Sequence, residues 1–133
     1  MIETSYGYSR IVKLGYEEAI KFITEEVKKE GFGILTRINV TETFKKKLGI
    51  DFKPYTILGA CNPPHAYQSL LLEEEIGLML PCNIIVYVND REETVISAVK
   101  PMASMVAVEN SALAETAVEV QRKLRSIIEN INI

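Results

Sequence analysis

Residues 82–99 read CNIIVYVNDREETVISAV. The first half is apolar on both alternating sides: Ile84, Val86 and Val88 on one, Ile85 and Tyr87 on the other. A half-solvated strand alternates apolar with polar, so this one is expected to be covered on both faces, in the middle of a sheet. Asn89 to Glu93 is a polar turn, and TVISAV returns as a second β-branched run. An antiparallel hairpin at the centre of a sheet is the reading from which the rest of the chain is placed.

Working outward, YTILGAC at 55–61 is a further strand, and GFGILTRINV at 31–40 another. In the latter, period two puts Phe32, Ile34, Ile38 and Val40 on one side and Arg37 and Asn39 on the other. Residues 5–14 suit an opening strand with Tyr6, Tyr8, Val12 and Leu14 alternating. Between these strands the period changes to that of a helix. Ala19, Ile20, Ile23 and Val27 recur at helical spacing over 16–30, and Gly31 stops them. Thr41 is a candidate cap for a short helix to Leu48, closed by Gly49. Proline is accepted in a first turn, so a helix runs from Pro63 or Pro64 to about Glu75, broken by Gly77. After Pro101 and a Met-containing connection, Asn110 or Ser111 opens a long helix with an apolar stripe of Leu113, Ala117, Val120, Leu124, Ile127 and Ile131. The order predicts an α+β two-layer sandwich, with helices on one face of a mainly antiparallel sheet.

The 133 residues form one domain, residues 1–133, with no internal repeat or linker. Hydrophobic residues make up 47% and charged residues 25%, the proportions of a compact globular domain rather than a disordered chain. The net charge of -3, with basic residues dispersed apart from Lys45, Lys46 and Lys47, argues against nucleic acid as a partner. The N-terminus lacks the basic start and apolar block of a secretory signal, and the run 76–88 is too short for a bilayer and broken by Pro81 and Asn83. A cytoplasmic protein with no membrane partner is expected. Cys61 and Cys82 are then reduced thiols rather than a structural disulfide.

Both cysteines precede an asparagine, in the stretch GACNPPHAYQSLLLEEEIGLMLPCNII. Cys61 falls between a strand end and a helix start, where a helix dipole can lower a thiol pKa. Pro63 and Pro64 oppose that, because they remove two amide donors from the helix N-terminus. Asn62 is placed to cap the proline helix, and Asn83 to hold the loop into the next strand. Alternation points Cys82 into the core with Ile84 and Val86. His65, four residues after Cys61, suggests a base; an exposed first-turn residue without a task is the plainer account. Cys61, His65 and Cys82 lack paired metal-ligand spacing, so no metal is expected. Glu73, Glu74 and Glu75 at a helix C-terminus oppose its dipole, and a solvated face is their default. No phosphate loop, nucleophile elbow or dinucleotide fingerprint is present, and no cofactor is expected.

The combination of Gly31, Phe32 and Gly33, then Tyr55 with the run from Gly59 to Pro63, then Ala66, Leu70, Gly77, Leu80, Pro81, Cys82 and Asn83, resembles the bacterial and archaeal family called domain of unknown function 302. Pro101 and the last helix extend the resemblance through nearly the whole chain. It implies a TATA-binding-protein-like fold, a curved antiparallel sheet carrying two principal helices, without nucleic-acid binding and without an established reaction. It also draws Cys61, Asn62, Pro63, Pro81, Cys82 and Asn83 together as the candidate ligand-binding site, while His65 and the opening YGYSR lie outside the pattern. The expected function is a small-molecule-binding or regulatory module with the two Cys-Asn loops at its mouth. The alternatives are a thiol-dependent redox or sulfur-handling protein in which Cys61 and Cys82 are the reactive thiols, and a structural domain that forms a homodimer.

Overall fold

The computed structural model describes residues 1–132. Six strands form one sheet: β1 (Ile2–Glu3), β2 (Gly7–Val12), β3 (Gly33–Asn39), β4 (Tyr55–Cys61), β5 (Cys82–Val88) and β6 (Thr94–Val99). Their order across the sheet is β1-β2-β6-β5-β4-β3, and every neighbouring pair is antiparallel. The hairpin reading places β5 and β6 together at the centre, as found. Asn89 shapes their turn, its side-chain oxygen accepting from the amides of Arg91 and Glu93.

Five helices accompany the sheet: α1 (Tyr16–Lys28), α2 (Val40–Leu48), α3 (Pro63–Leu72), α4 (Pro101–Met105) and α5 (Ala114–Glu129). The two long ones, α1 and α5, lie on one face, which makes the fold an α+β two-layer sandwich. Strand register shows what they cover. One row of side chains across the sheet runs Tyr8, Ala98, Ile84, Leu58 and Arg37, and the next runs Arg10, Ile96, Val86, Thr56 and Asn39. Ile20, Ile23 and Val27 of α1 and Leu124, Ile127 and Ile128 of α5 bury against these rows. Each such aliphatic side chain removed from water contributes about 1.5–3 kcal/mol.

The polar members of the rows have specific partners. Arg10 donates from Nη1 to the carbonyls of Glu129 and Ile131, both at 2.7 Å, at the C-terminal end of α5 where a cation is favoured. Arg37 reaches Glu17 in the first turn of α1, and the Thr56 and Tyr16 hydroxyls bond to each other.

Several boundaries depart from the sequence expectation. β3 carries a bulge between Ile34 and Thr36, which inserts Leu35 and reverses the parity of the strand beyond it. Ile34 therefore faces the helices, whereas Ile38 turns to the opposite face and Arg37 turns inward, so a single apolar side for this strand is corrected. Asn39, not Thr41, caps α2 by accepting from the Glu42 amide; Thr41 instead accepts from the Tyr55 amide and donates to the Lys53 carbonyl. The strand expected over 5–14 is Gly7–Val12, and a two-residue strand, Ile2–Glu3, precedes it, with Tyr6 exposed in the turn between them. α3 ends at Leu72 because Glu73 is extended, and a 3-10 helix, Glu74–Met79, comes next with Ile76 buried beneath it. Glu74 and Glu75 thus stand in its first turn, where negative charge is favoured, rather than at the end of a longer helix. The connection after Pro101 contains the unforeseen α4, and Asn110 caps a 3-10 turn, Ser111–Leu113, that leads into α5.

Candidate functional site: an apolar cavity at one end of the sheet

Two strand ends meet at the β4–β5 border. Ala60 pairs with Cys82 and Gly59 with Asn83, so the two Cys-Asn segments lie side by side. Glycine at 59 is required by closeness, since a Cβ there would collide with Thr36 Oγ1 and with the Pro81 ring. Asn62 leads from β4 into α3, with the two prolines occupying the first helical positions. Its side-chain oxygen accepts from the His65 amide and its Nδ2 donates to the Glu30 carbonyl. One buried side chain thus fixes both the start of α3 and its attachment to the end of α1. Gly31, which turns the chain there with φ of 84°, lies against the same side-chain amide.

Beneath these segments is a cavity of about 370 Å³. Its floor is the sheet end, with Phe32, Ala60 and Cys82; Ala117 and Val120 of α5 form one wall; Ala66 and Leu70 of α3, Gly77 and Leu80 of the 3-10 segment and its end, and Pro101 and Met105 of α4 enclose the rest. Among the described residues the polar lining is limited to Thr36, Asn62, His65 and the two thiols, and no charged side chain lines it. The cavity arises from side-chain size. Along α5 the inward stripe enlarges from Ala117 and Val120 to Leu124, Ile127 and Ile128, while the sheet row at this end is Ile34, Ala60 and Cys82.

Of the six residues expected at the site, Cys61, Asn62, Pro81 and Cys82 line this cavity. Pro63 is exposed, and Asn83 is exposed and lines a neighbouring smaller pocket, so neither lines it. His65, expected to be incidental, is part of the lining. Phe32, Ala60, Pro101, Ala117 and Val120, singled out in the sequence only as pattern or stripe residues, also belong to the lining, as does Met105. Small residues in an otherwise bulky helical stripe were the available signal, at Ala117 in particular.

Both cysteines are free thiols. They occupy adjacent strands one position out of register, so strand spacing and rise put their Cα atoms about 6 Å apart. The pleat turns Cys82 with Ala60 toward the helices, and Cys61, at the very end of β4, also lines the cavity. Burial pushes the Cys82 thiol up to about 11, with the neighbouring Cys61 adding to the shift, and burial also raises Cys61 above its ordinary value. Neither thiol has a cation or amide cluster that would favour its ionised form. Among the described residues, no three His, Cys, Asp or Glu side chains converge to hold a metal ion, and no helix is long and apolar enough to cross a membrane.

The family described as "Domain of unknown function DUF302" matches residues 8–131. The chain belongs to it. The DUF302 assignment covers every element that builds the cavity. No curated protein sequence matches the chain. Among solved structures, the chain is similar to the crystal structure of an uncharacterized conserved DUF302 protein from Bacillus stearothermophilus, at 32% identity over 97% of this chain and 100% of that one, with a TM-score of 0.88. The DUF302 family has no established function, so the geometry of the cavity carries the functional argument.

Proposed function

We propose that this protein is a binding or regulatory module for a small, uncharged, largely apolar molecule held between the sheet end, α3 and α5. The observation that carries this reading is a cavity of about 370 Å³ with no charged side chain in its lining. It falls in the range of ligand sites, and it is over twice the roughly 150 Å³ of an apolar cavity that holds one benzene. An anionic ligand would lose its hydration there without gaining a cation, which is costly. The Asn62 side chain is committed to holding α3, which leaves Thr36 and His65 as the polar contacts available to orient a guest. Leu35 and Leu70, both exposed at the rim, give the mouth an apolar lip.

Thiol-dependent redox or sulfur chemistry using Cys61 with Cys82 has less support. It asks for an activated thiolate, and both thiols are shifted toward the protonated form. The same reading places the protein in the cytoplasm, where both thiols stay reduced.

The test is thermal stabilisation by neutral one-ring and two-ring aromatics and medium-chain alcohols, beside their carboxylate analogues. The expected outcome is a rise in Tm with the neutral set and little with the acids. Ala117→Phe, which fills the space next to Val120, should abolish the rise. No stabilisation by any neutral compound, or a rise undiminished in Ala117→Phe, would overturn the proposal.

A further inference from the structure

The face of the sheet turned away from α1 and α5 is a different surface from the cavity, and its composition is unusual for a face in water. Strand register defines two rows across it. One runs Ile11, Val95, Tyr87 and Tyr55; the other runs Ser9, Ser97, Ile85, Ile57 and Ile38. Neither row contains a charged side chain. A solvated antiparallel face is ordinarily polar, yet here Ile11 and Ile38 stand 46% and 50% exposed at its two flanks.

We propose that two copies of this chain pack through this open face as an isologous homodimer. Three observations favour a second copy over another partner. First, a surface without charge offers nothing to complement a charged partner, whereas an identical face is itself uncharged, so neither copy buries an unpaired charge. Second, the two serine hydroxyls inside the patch bond to each other at 2.6 Å, so covering them strands fewer polar groups than two separate hydroxyls would. Third, the size is adequate. Five strands, β2 to β6, about 4.8 Å apart and some 20 Å long project to about 500 Å², and side-chain relief brings this toward the roughly 800 Å² per partner of a standard interface.

The surroundings fit the same reading. An aromatic series extends the face toward α2, with Tyr87 stacked on Tyr55 at 5.3 Å, Tyr55 beside Phe52 at 6.3 Å and Phe52 edge-on to Phe44 at 5.1 Å. Aromatic anchors are enriched at the centres of protein interfaces. The ion pairs Lys45–Asp51 and Lys53–Asp90 stand beyond them, the polar rim such a centre requires.

Sedimentation equilibrium of the full chain tests the proposal. The expected mass is about 30 kDa, twice the 15.0 kDa of one chain. Ile11→Lys and Ile38→Lys, at half-exposed positions on opposite flanks, are each expected to weaken association by at least about 100-fold, because a two-fold interface buries each new charge twice. Far-ultraviolet circular dichroism verifies that each variant is folded, and having two separates a folding failure in one from an interface effect. A monomeric wild-type protein at its highest soluble concentration would overturn the proposal, as would folded Ile11→Lys or Ile38→Lys proteins that dimerise with wild-type affinity.

Discussion

The two ends of the helix-covered layer share the same sheet and the same helix α5, and they differ in how completely they are filled. At one end Ile23, Leu124 and Ile128 meet Leu58, Ile84 and Ile96, all essentially inaccessible to solvent. At the other, Ala60, Ala66, Ala117 and Gly77 leave a cavity of about 370 Å³ under a cover of short helical segments. The backbone does not break between them. A taper in side-chain volume along a continuous helix separates a packed core from a cavity, so one end maintains the fold while the other holds the space to which we assign a ligand.

The largest effect that would challenge this contrast comes from truncations to alanine at its two ends. Leu124→Ala is expected to cost about 3–4 kcal/mol, because close-packed neighbours cannot collapse into the void. Val120→Ala, one helical turn nearer the cavity and already bordering empty space, should cost about 1 kcal/mol. Urea denaturation of both variants reads the difference, and equal losses would mean that the two ends are packed alike.

A second effect belongs to the thiol on the cavity floor. In the unfolded chain Cys82 ionises near pH 8.5, whereas in the fold it retains its proton to about 11. Its contribution to stability is therefore fully present below about pH 8.5 and is lost as pH rises through 11, an effect on the order of 3 kcal/mol. Comparing urea midpoints at pH 8 and at alkaline pH should show a steeper decline for the wild-type protein than for Cys82→Ala. Parallel declines would place Cys82 in water.

The smallest effect concerns the cover. Asn62→Ala removes the α3 cap and the bond to the Glu30 carbonyl, and should lower stability by about 1–2 kcal/mol. Amide exchange should quicken in α3 and leave α1 and β5 at wild-type rates. A uniform increase would show that the cover unfolds only with the core.

These contrasts divide what the sequence discloses from what it conceals. α1 and α5 are legible because their apolar residues keep one helical period, and the β5–β6 hairpin because a doubly apolar strand precedes a polar turn. Asn62 ahead of two prolines identifies the start of α3 by local stereochemistry alone. The bulge at Leu35 is not legible: alternation in GILTRIN reads equally well without it, and only pairing with β4 shows that one residue is extra. The extended backbone of Glu73 is hidden for a similar reason, since an apolar helical pattern and a 3-10 helix over Ile76 look alike as spacing. For the candidate site, the Cys-Asn segments were visible as a motif. The cavity was not, because it depends on small residues from β4, α3 and α5 that are far apart in the chain and meet only when the sheet is assembled.

The bulge in β3 also affects how the molecule avoids uncontrolled growth. A regular edge strand invites another strand to add to it, copy after copy. Here one edge is β1, only two residues long, and the other is β3, whose ladder is interrupted at Leu35. With both margins poor templates, the face-to-face contact we propose would close after one partner, and an apolar sheet could meet its own copy without seeding fibrils.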